Sequence, residues 1–333
     1  METRCIDITD WNVELLQPIV VGKREKYICY PNEDKTLSPL FYFKKPVQKY
    51  PWEFWSEVAA SKIGQLLKFN IANYDVAYNN KGDMGCVSRS VFKPKEEFIH
   101  GQQFLLRLKP DFEVKEGGDH SFQLVEQFFL SYPKLKPLLK DFIAMLVFDA
   151  VVGNHDRHQQ NWAITRRLDV PFFQNLVKQF FQLLNVNYSI EQKKNVEPNI
   201  HYGLSKIFDS GNCLGYNLVE EKLVSELLND PKKFENFVNG NKSLGHLRWY
   251  NSRLKYVDLL IEIKRLYPDY VKTAVKQVRN NYKIKQVEKI INELDNEFPT
   301  DVIYSQYRLT LSRKAMFIKL LNRRFELLQP LLD

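Results

Sequence analysis

The sequence has few of the features that mark secreted, membrane or disordered proteins. Its 333 residues include only four cysteines, Cys5, Cys29, Cys86 and Cys213, and none of them forms a CxxC pair. No apolar run approaches the roughly 18 residues of a membrane span, and the polar start at residues 1–5 predicts no signal peptide. A disulfide framework is therefore excluded, and we expect a cytoplasmic protein that makes no membrane contact.

Clusters of charge of one sign are also missing. The formal net charge is +8, which permits an anionic partner, but no run of five or more basic residues occurs. We therefore expect any contact with nucleic acid to be indirect. Aromatic residues are abundant, with 23 Phe, 17 Tyr and 5 Trp, and they require a buried core. The length fits roughly two domains of about 150 residues, or one two-lobed domain.

The first part of the chain has the pattern of a small sheet with one helix. Residues 27–30 and 40–43 have the apolar and aromatic composition of strands. A helix is predicted from Pro51, a residue suited to a first helical turn. A hairpin is predicted over residues 74–88, with a turn that contains Asn and Gly. We assign residues 1–105 to this lobe.

The second part, residues 106–333, is mainly helical in pattern. Residues 141–152 are apolar on almost all sides and therefore predict a buried helix. Gly153 is expected to end this helix in the left-handed conformation that favours glycine. From about residue 217 to the end, the helical pattern dominates.

Polar residues with a characteristic spacing follow the buried helix. Phosphoryl transfer requires a carboxylate that accepts a proton and oxygen ligands that hold magnesium. Asp156 and Asn161 have the Asp-x-x-x-x-Asn spacing of kinase catalytic loops, and they precede a predicted strand at 162–164. A second predicted strand, 206–208, leads into Asp209, where a metal-binding aspartate would stand. The pattern predicts Asp156 as the catalytic acid/base, and Asn161 and Asp209 as magnesium ligands.

Each of these motifs has a simpler interpretation when taken alone. Asp156 to Asn161 could be an Asx-rich turn that caps a strand, and residues 209–212 could be a plain turn. His155 and His158 could be two zinc ligands, although no cysteine or further histidine lies nearby in the sequence. The joint placement of the motifs favours the kinase interpretation.

The first lobe offers candidate contacts for nucleotide phosphates. Lys44, at the end of the strand 40–43, suits a phosphate-pairing lysine, and Glu57 on the following helix could hold it or could lie on a solvated face. Backbone amides and cations that could grip phosphates lie between two predicted strands. These residues are Gly22, Lys23, Arg24, Glu25 and Lys26.

These residues together resemble the HipA-type serine/threonine kinases, the toxin components of bacterial toxin–antitoxin modules. The resemblance runs from about residue 18 to 330 and is most specific at 148–162 and 207–211. It implies an α+β, two-lobed protein-kinase-like fold, with a small sheet-plus-helix N-lobe and a mainly helical C-lobe. It also implies ATP and Mg²⁺ as cofactors, with Lys44 on the phosphates. The nucleotide would be lined by His158, Gln159, Gln160, Asn161 and Phe208, and Arg89 to Val91 would offer hinge backbone groups to adenine.

The resemblance further implies a protein substrate, such as an aminoacyl-tRNA synthetase, and an antitoxin or accessory protein as partner. Self-phosphorylating members carry a serine shortly before the phosphate-loop glycine, but residues 18–21 here are Pro, Ile, Val and Val. We therefore expect control by a partner rather than by phosphorylation at that loop. The chain resembles compact members that lack an extra N-terminal subdomain, and residues 167–203 are expected to contact substrate or partner.

Two other functions share the same residues. One is a non-catalytic kinase-fold module that binds nucleotide or an antitoxin. The other is a kinase that phosphorylates a small molecule or a lipid. The presence of Lys44, Asp156, Asn161 and Asp209 argues against the first, and the sequence does not separate the second from a protein kinase.

Overall fold

The structure, a computed structural model, describes residues 2–15, 26–31, 40–93, 95–115, 117–169, 199–240 and 243–333. Its N-terminal part contains a sheet of six strands. They are β1 (Cys5–Asp7), β2 (Asn12–Leu15), β3 (Lys26–Tyr30), β4 (Phe41–Lys44), β5 (Tyr74–Tyr78) and β6 (Met84–Arg89). The order across the sheet is β1-β5-β6-β4-β3-β2, with β1 parallel to β5 and the other pairs antiparallel.

Helix α1 (Glu53–Leu66) packs against β5 and β6 and is buried along most of its length. The last turns of α1 also pack closely against the segment that follows the helix, since a Cβ at Gly64 would lie only 2.8 Å from the Ile71 side chain. The turn of the hairpin predicted over residues 74–88 is also present, and in it the Asn79 N–H donates to the Asp83 carbonyl over 3.1 Å. The predicted lobe of sheet plus helix is therefore confirmed.

A second sheet of three antiparallel strands follows. It consists of β7 (Glu96–His100), β8 (Ala163–Asp169) and β9 (Asn199–Leu204), in that order. Strand β8 extends the predicted strand at 162–164 and begins directly after the cluster that contains Asp156. The second sheet therefore fixes the end of the candidate catalytic loop.

Helices form most of the remaining described structure. They are α2 (Gly101–Leu108), α3 (Phe122–Ser131), α4 (Leu139–Val152), α5 (Glu221–Asn229), α6 (Pro231–Asn239), α7 (Tyr256–Leu266), α8 (Pro268–Asn281), α9 (Ile284–Asn292) and α10 (Leu311–Leu328). Helix α4 is the predicted buried helix, and α7, α8 and α10 pack around it. In the part of the chain that the structure describes, no helix is long and apolar enough to cross a membrane.

Two predictions about local structure were wrong. Residues 206–208 form no strand, and only an isolated bridge joins Ile71 to Ile207. The helical pattern predicted after residue 217 is interrupted by a hairpin, β10 (Leu244–Trp249) with β11 (Ser252–Lys255). Its two turn residues are Tyr250 and Asn251, and the residue with a positive φ is Tyr250, at +51°, rather than the glycine or asparagine usual there. The Asn-Gly signature of a tight hairpin is therefore absent from the sequence.

Candidate active site

The candidate catalytic loop begins where α4 ends. Gly153 closes that helix with φ +70°, and its N–H donates to the Asp149 carbonyl over 2.7 Å. A Cβ at Gly153 would lie 2.2 Å from Arg324 Cζ, so both conformation and space require glycine here. The predicted left-handed cap is present, and it turns the chain from a buried helix into the polar loop.

Hydrogen bonds within the loop fix the position of Asp156. Its N–H donates to Asn154 Oδ1 over 3.2 Å, and its carbonyl accepts from the Asn161 side-chain amide over 2.6 Å. Its carboxylate oxygen Oδ2 accepts from Asn212 Nδ2 over 2.6 Å. Asp156 and Asn161 are therefore held together, as their spacing predicted, and Asn212 links them to the loop that follows Asp209.

A buried arginine that the sequence reasoning missed organises both loops. The Arg157 side chain is only 1% exposed and forms a bidentate ion pair with Asp149 of α4, with N–O distances of 2.8 and 2.9 Å. Its Nη1 donates to the Asn161 carbonyl at 2.6 Å and the Phe208 carbonyl at 2.7 Å, and Nη2 donates to Ser210 Oγ at 3.3 Å. The available signal was Asp149, a charge within an apolar helix that requires a buried partner.

Two lysines from the six-stranded sheet meet Asp209. Lys44 Nζ lies 2.9 Å from Asp209 Oδ1, and Lys26 Nζ lies 3.2 Å from Asp209 Oδ2. Lys26 and Lys44 are directly opposite each other in the β3–β4 register, so Asp209 compensates two neighbouring like charges. Lys45, next in sequence, pairs instead with Asp83 at 2.8 Å.

Helix α1 contributes Glu57 to the same cluster. Its Oε2 lies 3.3 Å from Lys44 Nζ, and its Oε1 accepts from the Ser210 N–H over 2.8 Å. Glu57 is 2% exposed, which rules out a solvated face. Burial acts to lower the pKa of Lys44, but the Asp209 and Glu57 carboxylates outweigh it and hold that pKa well above its usual value. Lys44 is therefore a charged, positioned cation.

The residues expected to line the nucleotide lie in several environments. The Phe208 ring packs against Phe98, with centroids 5.5 Å apart. The side chain of Gln159 donates to the Val114 carbonyl over 2.9 Å, and that of Gln160 donates to the Gln102 side chain over 2.6 Å. Both glutamines thus tie the loop to residues 101–115 through their side-chain amides.

The remaining predicted contacts are placed as follows. Arg89, at the end of β6, is exposed and lies over the Phe41 ring at 5.6 Å. Val91 is half-buried and packs against the main core. Gly22, Lys23, Arg24 and Glu25 lie outside the described residues, as do residues 18–21 and most of 167–203. Their predicted contacts stay predictions.

His155 and His158 lie in the loop, and His246 packs against it. The His158 and His246 ring centroids lie 5.7 Å apart, whereas His155 contacts Tyr256. His155 and His158 therefore have different neighbours. Within the described ranges, no group of three His, Cys, Asp or Glu side chains is arranged to hold a metal ion.

The burial of these histidines predicts that the free energy of unfolding depends on pH. Burial lowers the pKa values of His155, His158 and His246 from 6.5 to about 4. Between these values the unfolded chain binds more protons than the folded chain, so stability is fully present above pH 6.5 and is lost as the pH falls toward 4. We expect His246→Gln to reduce this pH slope in urea unfolding, while the exposed His201→Gln keeps it. Equal slopes for His246→Gln and the wild type would contradict the assignment.

Asp209 and Asn161 suit a magnesium ion. Asp209 has φ +56°, a left-handed conformation that aspartate tolerates better than most residues, and two ammonium groups favour its ionised form. The Asn161 amide nitrogen is used in the bond to the Asp156 carbonyl, so its oxygen is the atom suited to a metal. Magnesium prefers a few hard oxygen ligands beside phosphates and retains several waters.

The sheet-plus-helix lobe, the Lys44–Glu57 pair and the two loops of the helical lobe define a two-lobed kinase fold. No protein-family model matches the chain, and no curated protein matches it at a significant level. The structure is similar to that of the proinflammatory kinase CtkA of Helicobacter pylori, with a TM-score of 0.67, 17% identity, and coverage of 97% of this chain and 94% of CtkA. The predicted α+β, two-lobed, kinase-like fold is thereby confirmed.

A second solved structure is the complex of HipA, HipB and operator DNA from Shewanella oneidensis. It aligns with a TM-score of 0.48 and 13% identity, over 94% of this chain and 65% of that one.

Proposed function

We propose that the chain is an ATP- and Mg²⁺-dependent serine/threonine protein kinase of the HipA type. The observation that carries this proposal is the buried cation Lys44, held between Glu57 of α1 and Asp209 of the following loop. A strand lysine paired with a helix glutamate is the arrangement with which kinases position nucleotide phosphates. The structure also holds Asp156 and Asn161 together by a hydrogen bond. The presence of both features favours an active enzyme over a non-catalytic module.

The residues of the candidate active site have separate roles in the proposed reaction. Asp156 accepts the proton of the acceptor hydroxyl while that oxygen bonds to the γ-phosphorus and the bond from phosphorus to the departing ADP oxygen breaks. Lys44, kept charged by Glu57, neutralises phosphate oxygens, and Lys26 adds a second cation. Magnesium, when bound by Asn161 and Asp209, would neutralise charge that develops on the phosphates. Arg157 holds the two loops at a fixed separation.

A substitution at Asp209 separates metal binding from nucleotide binding. We expect Asp209→Asn to weaken magnesium-dependent ATP binding by about tenfold or more, because a charged ligand is lost. Metal-free ATP should bind no more weakly than to the wild type, since Lys26 and Lys44 lose a competing carboxylate. Calorimetric titrations with and without Mg²⁺ would measure both affinities.

The control is Asp83→Asn, which removes the carboxylate that pairs with Lys45, in the lobe that also carries Lys26 and Lys44. It should leave both affinities unchanged. Equal losses of metal-dependent and metal-free binding in Asp209→Asn would show that Asp209 has a purely structural role.

The substrate proposal comes from the resemblance to HipA-type kinases: a protein of translation, such as an aminoacyl-tRNA synthetase. A direct test incubates the protein with labelled ATP, Mg²⁺ and a bacterial lysate, and identifies the labelled species by mass spectrometry. The matched control is the Asp156→Asn variant. Labelled proteins that appear only with the wild type would support the proposal, whereas label confined to small molecules or lipids would favour the other class of kinase.

We further propose that a partner protein, an antitoxin or accessory protein, restrains the enzyme. Residues 18–21 carry no hydroxyl, so phosphorylation there cannot silence it. The alternative is control by phosphorylation of another hydroxyl, such as Ser88, Ser90 or Ser121. Ser88 is only 3% exposed, Ser90 Oγ donates to the Phe92 carbonyl over 2.9 Å, and Ser121 caps α3 by accepting from the Leu124 N–H. Growth should be inhibited when the active protein is expressed alone. Harmless expression of a demonstrably active enzyme would contradict the toxin proposal.

A further inference from the structure

A cavity of about 540 Å³ lies beside the candidate catalytic loop. One side is formed by residues 212–218, which follow Asp209 closely in the chain, and the other by helices α5 and α6. Its size falls within the range of about 300–1,000 Å³ that is typical of sites for organic ligands.

The wall of the cavity that contains Asn212 adjoins Asp156. Asn212 lines the cavity, and its side-chain amide donates to the Asp156 carboxylate over 2.6 Å. His155 also lines it, and its N–H donates to the Asn212 carbonyl over 3.3 Å. Lys26, Lys44 and Asp209 do not line it. Asp156 does not itself line the cavity, but Asn212 of the cavity wall is hydrogen-bonded to its carboxylate. The cavity therefore lies next to the proposed base, as expected of a site for the acceptor.

The walls of the cavity are suited to an apolar group. Leu218, Leu223 and Phe237 contribute apolar surface. The two charged lining residues, Glu226 and Lys233, pair with each other at 2.8 Å. Asparagine, tyrosine and histidine side chains also line the cavity, but its lysine is already paired. A phosphorylated sugar or a lipid headgroup would have to displace Glu226 from that lysine, whereas a bulky apolar side chain can pack against the leucine and phenylalanine walls.

We infer that this cavity selects the acceptor: it binds a bulky apolar side chain of a polypeptide, close in sequence to the serine or threonine that receives the phosphoryl group. This inference rests on the proposed kinase function and deepens it. Polypeptide segments with an apolar residue beside the hydroxyl are then the substrate class. Small hydroxylated molecules lack the group that would fill the cavity.

The test uses the full chain, labelled ATP and a synthetic peptide library with a fixed central serine or threonine and one varied flanking position at a time. The wild type should favour Leu, Met or Phe over Asp by about tenfold or more at one flanking position, the scale expected when an apolar side chain is buried. Leu223→Glu should abolish this preference. Leu223 is 38% exposed, so the fold should tolerate the change.

The matched control is Leu266→Glu, at the end of α7, where the side chain is 53% exposed and does not line the cavity. It should retain the wild-type preference. A second variant, Lys233→Met, leaves Glu226 without its cation and should create a new preference for Lys or Arg. Misfolding cannot produce that gain.

The outcomes separate this inference from the proposed function. Absence of both ATP hydrolysis and labelling in the wild type would overturn both. ATP hydrolysis with no apolar preference, or a preference unaffected by Leu223→Glu, would overturn the cavity assignment alone. Labelling of small molecules without peptides would overturn both the cavity assignment and the protein-kinase proposal, and would leave a kinase of another substrate class.

Discussion

Asp156→Asn is expected to abolish phosphoryl transfer and to leave the melting temperature close to that of the wild type. The amide has nearly the shape of the carboxylate, but it cannot accept the proton of the acceptor hydroxyl. The residue is only partly buried, and a flipped amide oxygen could still accept from Asn212 Nδ2, which now lies 2.6 Å from the carboxylate. Activity should fall by about 100-fold or more, measured as transfer of labelled phosphate.

The control for this variant is Asp230→Asn. Asp230 caps α6 by accepting from the Lys232 and Lys233 N–H groups, and asparagine is an equally good capping residue. Activity should therefore be unchanged. If Asp156→Asn retained more than about a tenth of wild-type activity, Asp156 would not be the base.

Arg157→Met is expected to lower both stability and activity. It leaves the fully buried Asp149 without its cation, and breaking such a pair typically costs about 3–5 kcal/mol. Adding Asp149→Leu should recover much of that stability, because apolar replacement of both partners is often nearly neutral. Activity should not recover, since the Asn161 and Phe208 carbonyls and Ser210 still lack their common donor.

Urea unfolding and phosphate transfer would be measured on the single and double variants. Arg323→Met provides the control, because Arg323 forms its ion pairs with the exposed Glu235 and Glu326, and loss of such pairs costs about 1 kcal/mol or less. Recovery of activity together with stability in the double variant would show that Arg157 does not position the loops.

The features that the sequence predicted correctly are those that local patterns encode. The apolar run that became α4 and the glycine that ends it were both recognisable, because burial and a positive φ leave compositional signals. The spacing of Asp156 and Asn161 was similarly visible. Lys44 was chosen as the phosphate-pairing lysine because it follows the predicted strand 40–43, and the structure gives Lys44 and Lys45 different partners.

The missed features depend on contacts between distant residues. Arg157 and Ser210 lie 53 positions apart, and nothing in either segment alone indicates that one guanidinium serves both loops. The β10–β11 hairpin was missed because its turn residue Tyr250 adopts a positive φ without the usual glycine or asparagine. The predicted strand at 206–208 has strand composition, but only Ile207 finds a bridging partner.

The position of Asp209 between Lys26 and Lys44 has a thermodynamic consequence. The carboxylate is an internal counterion for two cations that, under the proposed function, also serve the triphosphate. Metal-free ATP must compete with Asp209 for both lysines. Under the proposed function, Asp209 would exchange the lysines for magnesium when the metal is bound, so metal and nucleotide would each raise the affinity of the other. The exchange of one anion for another would thus make the site bind the two ligands cooperatively, with no change of fold.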